Sequence, residues 1–299
     1  KERKRRETMQ NRTAATIDIS SAEEPVLKLN NGHTMPQLAF GLYKVPPTEE
    51  GESIVLNAIA AGYRHFDTAS YYENEKVLGQ ALKKSGIPRN EFFICSKVWN
   101  DAQRKGREAV RGSVEKSLAA FDFGDDGGCY IDLLLVHWPV PGYHVETYKE
   151  LELMCKEGTI RSIGLSNYKE KDFNELVESN ITIQPVVNQF EISPFMYRPS
   201  LAEYFQRKGV SVSASKGIGR GECFDKAPIQ KLSTKYSKSP AQIMLRWGLQ
   251  KNFCVVAKTA TPSRMRENRS VLDYYLEDED MIILDSLTSK EDVKKRDER

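Results

Sequence analysis

The chain has 299 residues, enough to bury a stable core as one large α/β domain or two ordinary ones. Its 44 lysines and arginines nearly balance 42 aspartates and glutamates, and a net charge of +2 supplies no overall field to gather nucleic acid or an anionic membrane. Five dispersed cysteines, Cys95, Cys129, Cys155, Cys223 and Cys254, argue against a disulfide framework and for a reducing compartment, and no apolar run approaches the ~20 residues of a membrane helix.

Residues 1–25 are polar and lack an apolar period, so they are expected to form a solvated tail; the basic run Lys4, Arg5 and Arg6 reads as a nuclear address or nucleic-acid contact only as a minor alternative. Lys1 opens the chain with Met9 inside it, which leaves the natural start open, and no basic segment leads into an apolar signal core. Val26 to Leu29, the pair Asn31 and Gly32, and His33 to Pro36 then spell a hairpin, for which Asn-Gly predicts a type I′ turn.

Eight short apolar runs follow: Gln37 to Lys44, Tyr63 to Thr68, Glu91 to Trp99, Ile131 to Pro139, Arg161 to Asn167, Pro185 to Ile192, Val210 to Lys216 and Phe253 to Thr259. Amphipathic stretches of helical length separate them, as in Ile54, Val55, Ala58 and Ile59 or Val110, Val114, Leu118 and Phe121. Strands alternating with helices predict parallel βα units, and eight of them predict an α/β fold closed as a (β/α)8 TIM barrel, with the N-terminal hairpin plugging its bottom. Ile218 to Ala227 is long and irregular for a βα loop, and is expected to form a mobile segment over the active face. Trp247, near Ile243 and Leu245 on a helix, reads as core. The barrel is expected over residues 26–288, with a charged C-terminal tail over 289–299.

In such a barrel the chemistry sits where strands end and βα loops begin. Here the second strand ends in Asp67 and Thr68, the third in Ser96 and Lys97, the fourth in His137, the fifth in Ser166 and Asn167, the sixth in Asn188 and Gln189, and the eighth in Lys258 and Thr259. Six apolar runs that each stop at ionisable or amide side chains point to a site rather than to loop solvation.

These residues resemble the aldo-keto reductase family. FDTASYYENE, with Asp67, Tyr72, Asn74 and Glu75, is similar to its first signature; LLLVHWP around His137 and GLSNY around Ser166 and Asn167 are similar to others; VVAKTATPSRMREN, with Lys258, Thr259, Arg264, Glu267 and Asn268, is similar to its cofactor signature. The resemblance implies a catalytic set of Asp67, Tyr72, Lys97 and His137. Tyr72 is then the acid, chosen over its neighbour Tyr71 by the family's spacing of five from the aspartate; Lys97 is the charge that lowers its pKa, Asp67 holds Lys97, and His137 orients the substrate oxygen.

By the same resemblance Ser166, Asn167 and Gln189 hold a nicotinamide, Lys258, Thr259 and Arg264 grip the adenosine 2′-phosphate, and Glu267 and Asn268 contact the adenine, so NADPH is the expected cofactor. Ser215 stands where many relatives place a tyrosine stacked on the nicotinamide, with Phe224 as a possible replacement. Tyr43, Trp99 and Trp138 are expected to line the substrate pocket, although aromatic core packing is an alternative for each. The four histidines, His33, His65, His137 and His144, fit no metal spacing.

The implied activity is NADPH-dependent reduction of a small aldehyde or ketone by a cytoplasmic monomer of the aldehyde reductase type, with no nucleic acid or membrane as partner. The alternative is a noncatalytic NADPH-binding barrel serving as a regulatory or redox-sensing subunit. A short-chain dehydrogenase reading of Tyr72 with Lys76 fails because Gly217, Gly219 and Gly221 come too late for a Rossmann fingerprint.

Overall fold

The computed structural model describes residues 25–123 and 129–297. Eight parallel strands close into a barrel in the order β10, β3, β4, β5, β6, β7, β8, β9. They are β3 (Leu38–Gly41), β4 (His65–Asp67), β5 (Phe93–Val98), β6 (Leu133–Val136), β7 (Ile163–Ser166), β8 (Val187–Glu191), β9 (Ser211–Ser215) and β10 (Cys254–Ala257). The (β/α)8 TIM barrel expected from the sequence is therefore the fold. Each hydrogen-bonded strand is shorter than its apolar run, because the run continues into the residues that carry the chain out of the barrel.

Strand alternation divides these residues between two cores. Ala39, Phe93, Cys95, Leu133, Leu135, Val187 and Cys254 fill the barrel interior. Residues of opposite parity, such as Phe40, Phe66, Ile94, Leu134 and Val212, pack outward against the helices. There the stripe Ile54, Val55, Ala58 and Ile59 of α1 (Glu49–Ala60) is buried, and so is Val110, Val114, Leu118 and Phe121 on the later helix Arg107–Phe121. Trp247 is buried as expected, with its indole N–H donating to Asp285.

The hairpin pairs β1 (Val26–Lys28) with β2 (Thr34–Pro36), Val26 opposite Pro36. Its Leu27, Leu29 and Met35 join the interior core, and Asn30 and Asn31 donate to the carbonyls of Pro185, Gly209 and Arg161 at the strands' N-terminal ends. The turn differs from the type I′ expectation. Leu29 N–H donates to His33 O and Gly32 N–H to Leu29 O, and Gly32 has a positive φ of 89° where Asn31 does not. It is a three-residue connection ending in a left-handed glycine, because both asparagines must reach the barrel floor.

Residues 1–24 of the expected N-terminal tail lie outside the described residues. The expected C-terminal tail contains a helix, Lys290–Asp297, whose start is organised by Ser289: its Oγ accepts from Asp292 N–H, and Glu291 and Asp292 stand in the positive first turn. Among the described residues no helix is long and apolar enough to cross a membrane.

Candidate active site

Alternation brings the strand-end residues together. On β5, Phe93 and Cys95 face the interior, so Lys97 does too; by the same parity Asp67, Ser166, Gln189 and Ser215 point inward, and His137 continues β6. Asn188, one residue from Gln189, has the other parity, and its amide donates to Tyr168 O. These ends converge on a cleft of about 530 Å³ lined by Asp67, Tyr72, His137, Ser166, Asn167, Gln189, Ser215 and Lys258, with Tyr43, Trp99 and Trp138 at its walls.

Lys97 is buried at the floor, 1% exposed. Its ammonium donates to Asp67 Oδ1 and to Thr68 O, each at 2.7 Å. Burial pulls its pKa down, but the Asp67 carboxylate, with Tyr72 and Cys95 beside it, outweighs burial and holds the ammonium above the ordinary lysine range. The second Asp67 oxygen accepts from Gln189 Nε2 at 2.7 Å, so Gln189 both orients the carboxylate and keeps its own carbonyl oxygen free of that bond.

Tyr72 closes a short turn, Ser70–Tyr72, after β4. Ser70 Oγ donates to Lys97 O, and the next residue, Glu73, takes a left-handed φ of 57°. The Lys97 ammonium lies 5.4 Å from the Tyr72 ring centre, and the His137 ring meets Tyr72 edge-on at 6.0 Å. Here the structure corrects an expectation. Burial raises the Tyr72 pKa, and the lowering by Lys97 does not offset it, since Asp67 neutralises much of that charge. Tyr72 is thus held as the protonated phenol. Burial, aided by the Lys97 charge, lowers the His137 pKa to about 3, so the imidazole is neutral at neutral pH.

Asn74 locks this turn to its surroundings. It is completely buried, donates to Leu42 O and Val45 O at 2.9 and 3.0 Å, and accepts from Thr68 Oγ1 at 2.7 Å. The loop that carries Tyr43 is thereby tied to the strand end that carries Asp67. Asn167, at φ 62°, donates to His137 O and Ser166 Oγ.

Lys258 and Arg264 are exposed and, among the described residues, neither carries an ion pair. Thr259 Oγ1 accepts from Thr261 N–H at the start of the helix Pro262–Arg269, which carries Arg264, Glu267 and a buried Asn268. Glu267 accepts from Ser239 Oγ, so one carboxylate oxygen already serves the fold. Thr259, Arg264, Glu267 and Asn268 lie outside the set lining the cleft. Phe224 does not line it either; it packs beside Gly221 and against the outer core, which leaves Ser215 without an aromatic replacement there.

Gly41, Lys44, Tyr71, Glu191, Lys216, Ile218, Arg220 and Val256 also line the cleft and were not singled out as site residues from the sequence. For Glu191 the signal was available, since it repeats the Gln189 parity; it accepts from Lys216 Nζ at 2.6 Å. Lys216 and Arg220 have left-handed φ values near 55°, which no sequence pattern announces.

Residues 37–289 match the Aldo/keto reductase family. A glyoxal reductase of Bacillus subtilis (strain 168) is 37% identical over 267 residues, covering 89% of this chain and 94% of that protein. A methylglyoxal reductase, DkgA, of Escherichia coli O157:H7 is 37% identical over 264 residues, covering 87% and 92%. Among solved structures, an aldose reductase from Schistosoma japonicum superposes with a TM-score of 0.82 at 33% identity, covering 89% of this chain and 93% of that one. The chain belongs to the aldo/keto reductase family, oxidoreductases that act on carbonyl groups.

Proposed function

We propose that the chain reduces small aldehydes and ketones to alcohols with NADPH, Tyr72 supplying the proton. The observation that carries this reading is the placing of a protonated phenol, a neutral imidazole and a buried lysine–carboxylate pair at the floor of one cleft.

The residues suit a nicotinamide cofactor. Ser166, Asn167 and the free carbonyl oxygen of Gln189 offer hydrogen-bond partners to a carboxamide at the cleft floor. Two exposed cations, Lys258 just after β10 and Arg264 on the helix that follows, are available for charge-assisted bonds to a 2′-phosphate, which supports NADPH over NADH. When bound, the cofactor supplies the hydride.

The chain's own residues do the rest. A carbonyl oxygen seated between Tyr72 and His137 accepts hydrogen bonds from both, which polarises it and stabilises charge as it builds. Neutral His137 has one N–H to give, and its Nδ1 has no hydrogen-bond partner among the described residues; carrying the proton on Nε2 leaves only an acceptor unpaired at Nδ1. Tyr72 then passes its phenolic proton to the oxygen. Lys97 stabilises the phenolate left behind, and Asp67 and Thr68 O fix Lys97. The names of its relatives favour glyoxal and methylglyoxal as substrates. A monomer in the cytoplasm remains the proposed setting.

Oxidation of NADPH, followed by absorbance with a panel of small aldehydes and with NADH in parallel, tests this. Tyr72→Phe should lose roughly 10²- to 10⁴-fold in turnover, the worth of a positioned acid, while still binding NADPH. Undiminished turnover by the variant overturns the role of Tyr72. Binding of NADPH by wild type without turnover of any carbonyl transfers the case to a noncatalytic cofactor-binding barrel, with Ser215 as its first explanation.

A further inference from the structure

Glu75 takes no part in the chemistry above, although it follows Tyr72 closely in the chain and its carboxyl is buried. It opens the helix Glu75–Ser85, where a negative charge suits the unpaired N–H groups of the first turn. The side chain turns inward, and its Oε1 accepts from Ser96 Oγ at 2.6 Å. Ser96 is the outward-facing neighbour of Lys97 on β5, completely buried between Ile94 and Val98 of the outer apolar core. Burial pushes the Glu75 pKa up, while the hydroxyls of Ser96 and Ser117 and the charge of Lys97 act against it. A carboxyl and a hydroxyl in that layer cost more than two apolar side chains would, so packing alone does not account for them.

What the pair fixes is a distance. Ser70 Oγ donates to Lys97 O at 3.0 Å, and Ser96 Oγ donates to Glu75, so the segment Ser70–Glu75, with Tyr72 inside it, is stitched at both ends to two consecutive residues of β5. We propose that Glu75 is a positioning residue for the reduction: bonded to Ser96 behind β5, it completes the second of two links that hold the Tyr72 phenol at a fixed distance from the Lys97 ammonium. The inference rests on the reductase reading. With the first link alone the segment can pivot about Ser70, and Tyr72, two residues on, moves with it. The present 5.4 Å from the ammonium to the ring centre lets Lys97 stabilise the phenolate left when the proton departs. Asn74 does not duplicate the link, since its bonds run to Thr68, Leu42 and Val45 and none of them to β5.

The test reads hydride transfer in a single turnover. Protein carrying NADPH is mixed rapidly with saturating methylglyoxal, and the absorbance gives a rate constant and an amplitude. Glu75→Ala and Ser96→Ala should each lower the rate constant by about tenfold or more, since a misplacement of ~1 Å can cost ~100-fold, and should leave NADPH binding unchanged. The double variant should be no slower than either single one, because both remove the same bond. Glu75→Gln keeps an acceptor for Ser96 and should stay close to wild type. A merely structural role lowers the amplitude, as fewer molecules fold, and leaves the rate constant unmoved, which would overturn the inference; a glutamine variant as slow as the alanine one would overturn it too. Ser96→Ala, the smaller change, carries the test if Glu75→Ala does not fold. Wild type that binds NADPH without oxidising it overturns the reductase reading itself, a different outcome from a working enzyme with an unmoved rate constant.

Discussion

Asp67→Asn removes the charge that Lys97 was buried against and changes almost nothing in shape. The wild-type ammonium has two acceptors, Asp67 Oδ1 and Thr68 O, and only the first is charged. Removing one partner of a buried pair costs about 3–5 kcal/mol, because the other is left as an uncompensated charge. At ~2–4 °C per kcal/mol for a domain of this general size, Tm should fall by roughly 10 °C. The pH dependence carries the diagnosis. In wild type the folded Lys97 pKa is raised, so its contribution to stability is fully present below the unfolded value of about 10.4 and is lost only as pH rises through the folded value. In the variant burial acts without that compensation, and the folded pKa drops below the unfolded one. The unfolded chain then binds more protons than the folded one between those two values, so variant stability should increase as pH rises from 7 toward 10. Urea unfolding at pH 7, 8, 9 and 10, compared with wild type, measures this, and carbonyl turnover should fall alongside. A loss under about 1 kcal/mol that does not change with pH would refute the claim that the pair is buried and charged.

Three other perturbations address separate parts of the site. Because the His137 pKa is depressed to about 3, the folded state resists protonating it, and stability should decline as pH falls from about 6.5 toward 3; His137→Gln should flatten that slope in acid denaturation curves. Arg264→Gln should weaken NADPH by about 10- to 100-fold, the range for a hydrogen bond to a charged group, and leave NADH nearly unchanged, as titration of cofactor fluorescence would show. Asn74→Ala strands the Leu42 and Val45 carbonyls and the Thr68 hydroxyl in a dry interior, so thermal unfolding should show a loss of about 3 kcal/mol, and turnover should drop as the Tyr43 loop loosens. A loss below ~1 kcal/mol there would mean that other contacts hold the loop.

The sequence alone determined the barrel, because eight β-rich runs separated by amphipathic helices have few other ways to bury their apolar faces. It also brought out the polar strand ends, but took Asn188 and Gln189 together; the alternation seen in the structure turns Lys97 inward with Phe93 and Cys95 and separates Gln189 from Asn188. Local pattern misjudged the hairpin turn, since the amides of Asn30 and Asn31 donate to carbonyls far along the chain, while Asn31 Oδ1 accepts from His33 N–H within the turn. It also missed the terminal helix set up by Ser289. The balance of charges was decided by tertiary structure. A lysine beside a tyrosine suggested a lowered phenol pKa, but only the fold shows that the phenol is buried and that Asp67 neutralises the ammonium. The stacking of Tyr71 on Trp99 was likewise unreadable, because the two rings follow different strands, β4 and β5, and meet only once those strands pair.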